Sequence, residues 1–365
     1  MNLLDAALVV IGLVLLVGGG EGLVRGASAI ARRLGLSPLV VGLTIVSVAT
    51  SSPELAVSVI ATLNGQPELA VGNVVGSNIA NVLLILGLSA LVLPLLARRR
   101  LVKLDVPYMV ALSVLLLVLA LDGGISRWEG LLLIGLFVGH MVFSVVTGRK
   151  EEPDAGTEDD PLPGMGRAVL FVAVGVGLLV LGSQLLVRGA SSIASALGLS
   201  DLVIGLTVVA IGTSLPELAA SIIAVRKGER DLAIGNVVGS NIANIGLVLG
   251  VPSILGSAGL PIPSAAIAFD IPLMIATSFA LLPIAFTGFI IKRWEGGLFL
   301  ALYLSYMAYL VLWATDHDAL DGFTFVMSLF VLPIIALTLL LIVAYEFGLR
   351  TGRTQGRAEE PDRQR

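Results

Sequence analysis

One ten-residue string, Gly-Asn-Val-Val-Gly-Ser-Asn-Ile-Ala-Asn, occupies Gly72–Asn81 and returns unchanged at Gly235–Asn244, an offset of 163 residues. The same offset carries Thr50-Ser51-Ser52-Pro53-Glu54-Leu55-Ala56 onto Thr213-Ser214-Leu215-Pro216-Glu217-Leu218-Ala219. A chain that repeats itself at this length builds one body from two copies of the same unit. In each copy an acid and a set of amides and hydroxyls stand inside apolar stretches, the pattern of internally repeated transporters.

The surrounding composition decides the solvent. Of the 365 residues 56% are hydrophobic and 13% charged, whereas soluble domains carry about a quarter charged residues. Apolar runs bounded by Gly, Pro and charge clusters predict eleven spans: 5–30, 38–63, 69–96, 104–121, 128–147, 166–195, 201–225, 231–256, 269–290, 295–314 and 323–347. The apolar run Leu3–Val17 has no basic region before it, so it reads as a retained first span rather than a cleaved signal. The absence of cysteine excludes disulfides, thiol catalysis and zinc-thiolate sites, and His140 and His317 cannot make a histidine metal cluster. Neither HExxH nor GxSxG occurs, which argues against a membrane enzyme.

Further matches extend the duplication. Arg25-Gly26-Ala27-Ser28 answers to Arg188-Gly189-Ala190-Ser191, Asp105-Val106-Pro107 to Asp270-Ile271-Pro272, and Arg127-Trp128-Glu129-Gly130 to Arg293-Trp294-Glu295-Gly296. The expected organisation is an all-α polytopic membrane protein of two five-span repeats, residues 1–148 and 165–315. An acidic linker, 149–164, joins them, and an extra span with its tail, 316–365, follows. An odd number of spans per repeat inverts the second copy. Placing the N-terminus outside puts the linker, the tail and all but Arg25, Arg127 and Arg188 of the 22 basic residues on the cytoplasmic side of a plasma membrane. The linker reads as a solvated tether.

The chemistry concentrates in two places. Glu54 is the sole ionisable residue from Leu39 to Leu63, and Glu217 from Leu202 to Val225. A charge at mid-bilayer costs about 2.5–3.5 kcal/mol on insertion scales, so two at matched positions argue for function over mere helix gluing. Thr50 and Ser51 share a helical face with Glu54. Pro53 and Pro216 lack an N–H and free backbone carbonyls near Ala49, Thr50, Gly212 and Thr213. Carboxylate, hydroxyl and carbonyl oxygens are the ligands hard cations take. Asn73, Ser77 and Asn81 line one face of the third span, as Asn236, Ser240 and Asn244 line the eighth. Ser77, Asn81 and their mates are favoured as ligands. Asn73, Asn236, Asn78 and Asn241 are open between ligation and interhelical hydrogen bonding. Asp105 and Asp270 read as helix N-caps, His140 as a packed histidine, and Trp128 and Trp294 as interfacial anchors.

These motifs resemble the paired alpha-repeats of the calcium/cation antiporter superfamily, most closely its prokaryotic sodium/calcium exchanger branch. The resemblance covers the first ten spans. It implies two inverted five-helix halves, with spans 2, 3, 7 and 8 around the ions and spans 1 and 6 sliding across them. By motif position it implies Ca²⁺ ligation by Glu54, Glu217, Thr50, Thr213 and the carbonyls of Ser47 and Ala210. Sodium and central sites would use Ser51, Ser214, Ser77, Ser240, Asn81 and Asn244. Some members carry Asp at one central position where this chain has Asn at both, and the eleventh span departs from the ten-span pattern. One Ca²⁺ neutralises two carboxylates, whereas the three Na⁺ that the resemblance implies leave a positive excess, so such exchange is electrogenic. The expected activity is Na⁺/Ca²⁺ antiport that exports Ca²⁺, with no cofactor and no nucleic-acid partner. H⁺/Ca²⁺ antiport is the runner-up, and a cation channel the alternative from another class.

Overall fold

The computed structural model describes residues 3–148, 163–286, 289–338, 340–341 and 344. Most of the acidic linker and the arginine-bearing tail therefore lie outside the described residues. The protein is an all-α polytopic membrane protein. We number its helical segments in chain order: α1 (Leu3–Leu34), α2 (Pro38–Thr50 and Ser52–Leu63), α3 (Pro67–Val92), α4 (Leu101–Ala120), α5 (Arg127–Gly148) and α6 (Met165–Ala196). Then come α7 (Asp201–Ile204, Gly205–Val209, Ala210–Thr213 and Leu215–Arg226), α8 (Arg230–Leu255), α9 (Ala266–Asp270 continuing as Ile271–Phe286), α10 (Arg293–Ala314) and α11 (Ala319–Thr338). Each expected span meets one of these segments. The fourth, ninth and eleventh start three or four residues earlier than hydropathy suggests.

Burial sorts the helices. Across their most apolar windows α3 and α8 are 83% and 94% buried, whereas α1 and α6 are 22% buried and α11 is not buried at all. The helices bearing the duplicated polar string are thus the centre, and the most apolar helices face lipid. This inverts the rule for soluble proteins, because lipid gives apolar side chains no reason to hide.

The antiparallel pair α1 and α6 meets along glycines. A Cβ on Gly12 would lie 2.7 Å from the Gly182 carbonyl oxygen, one on Gly19 2.7 Å from that of Gly175, and one on Gly26 2.6 Å from that of Ala168. Backbones this close leave no room for a side chain at these positions. Rising numbers on one helix meet falling numbers on the other, so the two copies of the first span run in opposite directions.

Three π-helical stretches recur: Gly42–Val46 with Gly205–Val209, Asn81–Leu86 with Asn244–Leu249, and Leu101–Asp105 with Ala266–Asp270. Such insertions commonly mark functional positions. Two-residue ladders tie the halves at the loops. β1 (Leu95–Leu96) pairs antiparallel with β4 (Ile290–Ile291), and β2 (Gly124–Ile125) with β3 (Leu260–Pro261).

The N-cap reading of Asp105 is overturned. Its backbone is helical and its carboxylate caps no helix. It faces inward instead, 3.6 Å from His140 Nε2 and 3.7 Å from Arg100 Nε. His140 stacks on Tyr108 at 4.5 Å, so it is packed, but with charged company. Asp270 likewise sits inside a continuous helix, ending the π-turn that runs on into Ile271–Phe286. Trp128 and Trp294 are exposed at the starts of α5 and α10, as anchors require.

Candidate ion-binding site

Both prolines break their helices two residues upstream. α2 bends by 41° at Ser51 and α7 by 61° at Ser214, where the backbone leaves the helical region (φ −81°, ψ 4° and φ −87°, ψ 5°). Each break creates a new helix N-terminus inside the protein. Glu54 and Glu217 stand in the first turns of those half-helices, where the helix dipole favours negative charge. The half-helices before them, Ser47–Thr50 and Ala210–Thr213, point their carbonyl ends at the same place, which suits a cation.

The proline-freed carbonyls do not behave as expected. The Ala49 carbonyl accepts the Ser52 hydroxyl at 2.7 Å, and that of Gly212 accepts the Ser183 hydroxyl from α6. Each thus already accepts a hydrogen bond from a serine hydroxyl and is not a bare oxygen. The Ser47 carbonyl accepts the Ser51 N–H at 2.9 Å and has the Thr50 hydroxyl at 3.4 Å. In α7 the Ser214 N–H bonds to the Ile211 carbonyl at 3.1 Å, one residue on from Ala210.

Hydrogen bonds bring α2, α3, α7 and α8 to one centre. Ser51 donates to Glu217 Oε1 across the halves at 3.3 Å. Thr50 donates to Asn236 Oδ1 at 3.1 Å, and the Asn236 amide donates to the Glu217 carbonyl at 3.4 Å and to Ser221 Oγ at 3.1 Å. Asn73 repeats that pattern, donating to the Glu54 carbonyl at 3.1 Å and to Ser58 Oγ at 3.0 Å. Asn81 donates to Asn241 Oδ1 at 2.9 Å, and Asn244 to Asn78 Oδ1 at 3.0 Å. The four asparagines left open by sequence therefore hold helices together. Thr213, half-buried beside the second bend, also has a partner.

What these bonds leave over is informative. Both Glu54 carboxylate oxygens, Glu217 Oε2, the hydroxyls of Ser77, Ser214 and Ser240, and the carbonyl oxygens of Asn81 and Asn244 are buried without a hydrogen-bond partner among the described residues. Leaving a buried polar group unsatisfied costs about 1–3 kcal/mol each, more for a charge. The leftover atoms are all oxygens, the hard donor set of Ca²⁺ and Na⁺. Among the described residues no three His, Cys, Asp or Glu side chains converge, so the charge of the site is two carboxylates, and amides and hydroxyls supply the rest.

The two copies are used unequally. A Cβ on Gly42 would lie 2.5 Å from the Leu232 carbonyl oxygen, and Cβ atoms on Gly235 and Gly239 would lie 2.5 Å and 2.6 Å from those of Leu39 and Leu43. So α2 presses backbone to backbone on α8. At the matching Gly205, Gly72 and Gly76, a Cβ would have no described heavy atom within 4 Å. At the same end as the tight contact, Ser28 of α1 donates to Glu229 at 3.1 Å, and Arg98 pairs with Asp231. On the open side a cavity of about 280 Å³ lies between α6 and the two bends, lined by Pro53, Ser183, Gln184, Arg188, Thr213 and Pro216 among others.

The family described as sodium/calcium exchanger protein matches residues 4–146 and 167–312. The chain is 42% identical over 280 residues to the putative antiporter CaxA of Alkalimonas amylolytica, covering 75% of this chain and 87% of that protein. It is 34% identical over 342 residues to the sodium/calcium exchanger MaX1 of Methanosarcina acetivorans, covering 83% and 97%. A solved structure of the sodium–calcium exchanger NCX_Mj, soaked with 10 mM Na⁺ and 10 mM Sr²⁺, superposes with a TM-score of 0.73 at 34% identity, covering 84% of this chain and 99% of that one.

Proposed function

Because the chain belongs to the sodium/calcium exchanger family, and so is a cation/Ca²⁺ antiporter of the membrane rather than an enzyme, we propose that it couples Ca²⁺ export to Na⁺ entry. The reading is carried by the two buried glutamates at paired helix breaks, with their unpartnered oxygens ringed by hydroxyl and amide oxygens. Glu54 and Glu217 bind Ca²⁺ with Thr50, Thr213 and the carbonyls of Ser47 and Ala210. Ser51, Ser214, Ser77 and Ser240 serve Na⁺, with Asn81 and Asn244 at the centre. A single set of carboxylates cannot hold both cargoes at once, which makes the exchange obligatory.

The inverted halves, 1–148 and 165–315, supply alternating access. With the N-terminus outside, the turn from α7 into α8, which bears Arg226, Lys227 and Arg230, is cytoplasmic by the positive-inside rule. The tight α2–α8 contact and the Ser28–Glu229 bond then close the cytoplasmic side, and the cavity beside α6 opens outward. Exchanging the roles of the copies, with α7 closing on Gly72 and Gly76, produces the opposite state. H⁺/Ca²⁺ antiport is the second reading, because two buried carboxylates can also carry protons. The hydroxyls and amides around them, which a proton does not need, favour Na⁺.

The test uses reconstituted vesicles loaded with Na⁺ and diluted into Na⁺-free medium, with ⁴⁵Ca²⁺ entry followed with and without a pH gradient. Entry driven by outward Na⁺ and indifferent to the pH gradient is expected. Entry that follows the pH gradient and ignores Na⁺ would establish proton coupling, and flux needing no counter-ion would establish a channel.

A further inference from the structure

We infer that Asn78 and Asn241 are positioning residues, which orient the amides of Asn244 and Asn81 so that oxygen rather than nitrogen faces the ion. This rests on the site assignment above and adds to it a reason why the central amides have one polarity. An asparagine amide has two ends of nearly equal size and opposite sign, an acceptor oxygen and an NH₂ with two donors. Turned over, the same side chain presents hydrogens to a cation and repels it. In the membrane interior there is no bulk water to choose the orientation, so the protein must.

The chain of contacts makes that choice from its outer end inward. Asn78 Nδ2 lies 3.4 Å from Met274 Sδ on α9, and Asn241 Nδ2 lies 3.5 Å from Met109 Sδ on α4. Both methionines are fully buried. A thioether accepts weakly and cannot donate, so it selects the nitrogen end of its asparagine. The same nitrogens lie 3.4 Å and 3.5 Å from the backbone carbonyls of Asn241 and Asn78, which also only accept. The oxygen ends of Asn78 and Asn241 must then point inward, where they accept from Asn244 at 3.0 Å and Asn81 at 2.9 Å. With their nitrogens committed, Asn244 and Asn81 are left with buried carbonyl oxygens that have no partner among the described residues. Polarity thus passes from methionine to outer asparagine to inner asparagine to ion, in two relays that each cross between the halves.

The experiment is a double-mutant cycle in reconstituted vesicles, reading the half-saturating Na⁺ and Ca²⁺ concentrations separately from the maximal ⁴⁵Ca²⁺ exchange rate. Asn78→Leu removes the acceptor for Asn244, and loss of one such bond is expected to raise half-saturation by roughly threefold to tenfold with little change in maximal rate. A carboxylate has two equivalent oxygens and no wrong end, so in an Asn244→Asp background Asn78→Leu should change half-saturation by less than roughly twofold. An equal loss in both backgrounds, or none in either, overturns the inference. Met274→Leu, which conserves volume but removes the sulfur, provides the second variant. A smaller rise in half-saturation, suppressed by Asn244→Asp, is expected, and an unchanged value would overturn the role given to sulfur. Asn244→Ala separates the two levels of argument: if it leaves both half-saturating concentrations unaltered, the ion-site assignment itself is wrong.

Discussion

At the scale of single residues, the site balances two charges that the membrane would otherwise reject. Glu54 and Glu217 are tolerated because each heads a half-helix made by a proline-linked break, so backbone N–H dipoles do part of the work a counter-charge would do. Their free oxygens still need a cation. Glu54→Gln and Glu217→Gln keep the shape and remove one charge each. With the bound cation as the partner, truncating one side of a buried charge pair costs about 2–5 kcal/mol of binding, so exchange should fall by on the order of a hundredfold or more. ⁴⁵Ca²⁺ uptake at saturating gradients checks this, and normal transport in either variant would refute the assignment. Ser183 has a different task. Its hydroxyl meets the Gly212 carbonyl next to the bend, whereas the equivalent carbonyl of Ala49 is served by its own neighbour Ser52. Ser183→Ala should lower stability by about 0.5–1.5 kcal/mol, read as a lower unfolding midpoint in detergent. An unchanged midpoint would show that the bond contributes nothing.

At the scale of elements, the repeated Arg-Trp-Glu-Gly motif turns out to be structural at its Arg, Glu and Gly positions. Glu129 and Glu295 reach back to the backbone N–H of Ser126 and Lys292, each at 2.7 Å, capping α5 and α10. Arg127 reaches the carbonyls of Gly256 and Ser257 in the other half at 3.1 Å and 3.0 Å, and Arg293 that of Val92 at 3.3 Å. Cβ atoms on Gly130 and Gly296 would lie 2.8 Å and 2.6 Å from the carbonyl oxygens of Gly250 and Gly87, so these positions are where α5 and α10 touch α8 and α3. Glu295→Ala should cost about 0.5–2 kcal/mol of stability through the lost cap without altering the ion dependence of exchange. Thermal unfolding in detergent alongside ⁴⁵Ca²⁺ titration checks both halves of that statement, and a shift in ion affinity alone would contradict it.

At the scale of the whole molecule, identical strings occupy unlike environments. Gly235 and Gly239 are pressed against α2, and Gly72 and Gly76 have open space. A single static structure would not need glycine at both places, whereas a carrier that alternates does, since each copy must receive its neighbour in turn. Gly239→Leu should therefore destabilise the conformer described here, by about 1–3 kcal/mol as overpacking usually does. Gly76→Leu should fold well and bind ions, yet fail to exchange them, because it blocks the opposite conformer. The chain has no cysteine, so single cysteines at exposed positions can report which side is open. Full exchange by Gly76→Leu would remove the case for reciprocal docking.

Much of this was legible from the chain alone. Composition compels a membrane fold, the offset compels two copies, and the isolated acids Glu54 and Glu217 point to the proposed site, because lipid tolerates so few polar residues that each one carries meaning. The Asp105 reading failed for a related reason. A residue preceding Val-Pro looks like a cap, yet its partners, Arg100 and His140, come from the turn before it and from α5, and no local pattern announces them. The donor on the proline-freed Gly212 carbonyl was also out of reach of sequence, because Ser183 stands 29 residues away on another helix. Sequence by itself determined the solvent, the duplication and the chemical character of the site, since these follow from residue type and spacing. Only the tertiary structure decided which oxygens remain free, which asparagines bond to one another, and which of two identical glycine faces is closed. Those depend on which atoms meet across helices, and two copies of one string can meet different neighbours.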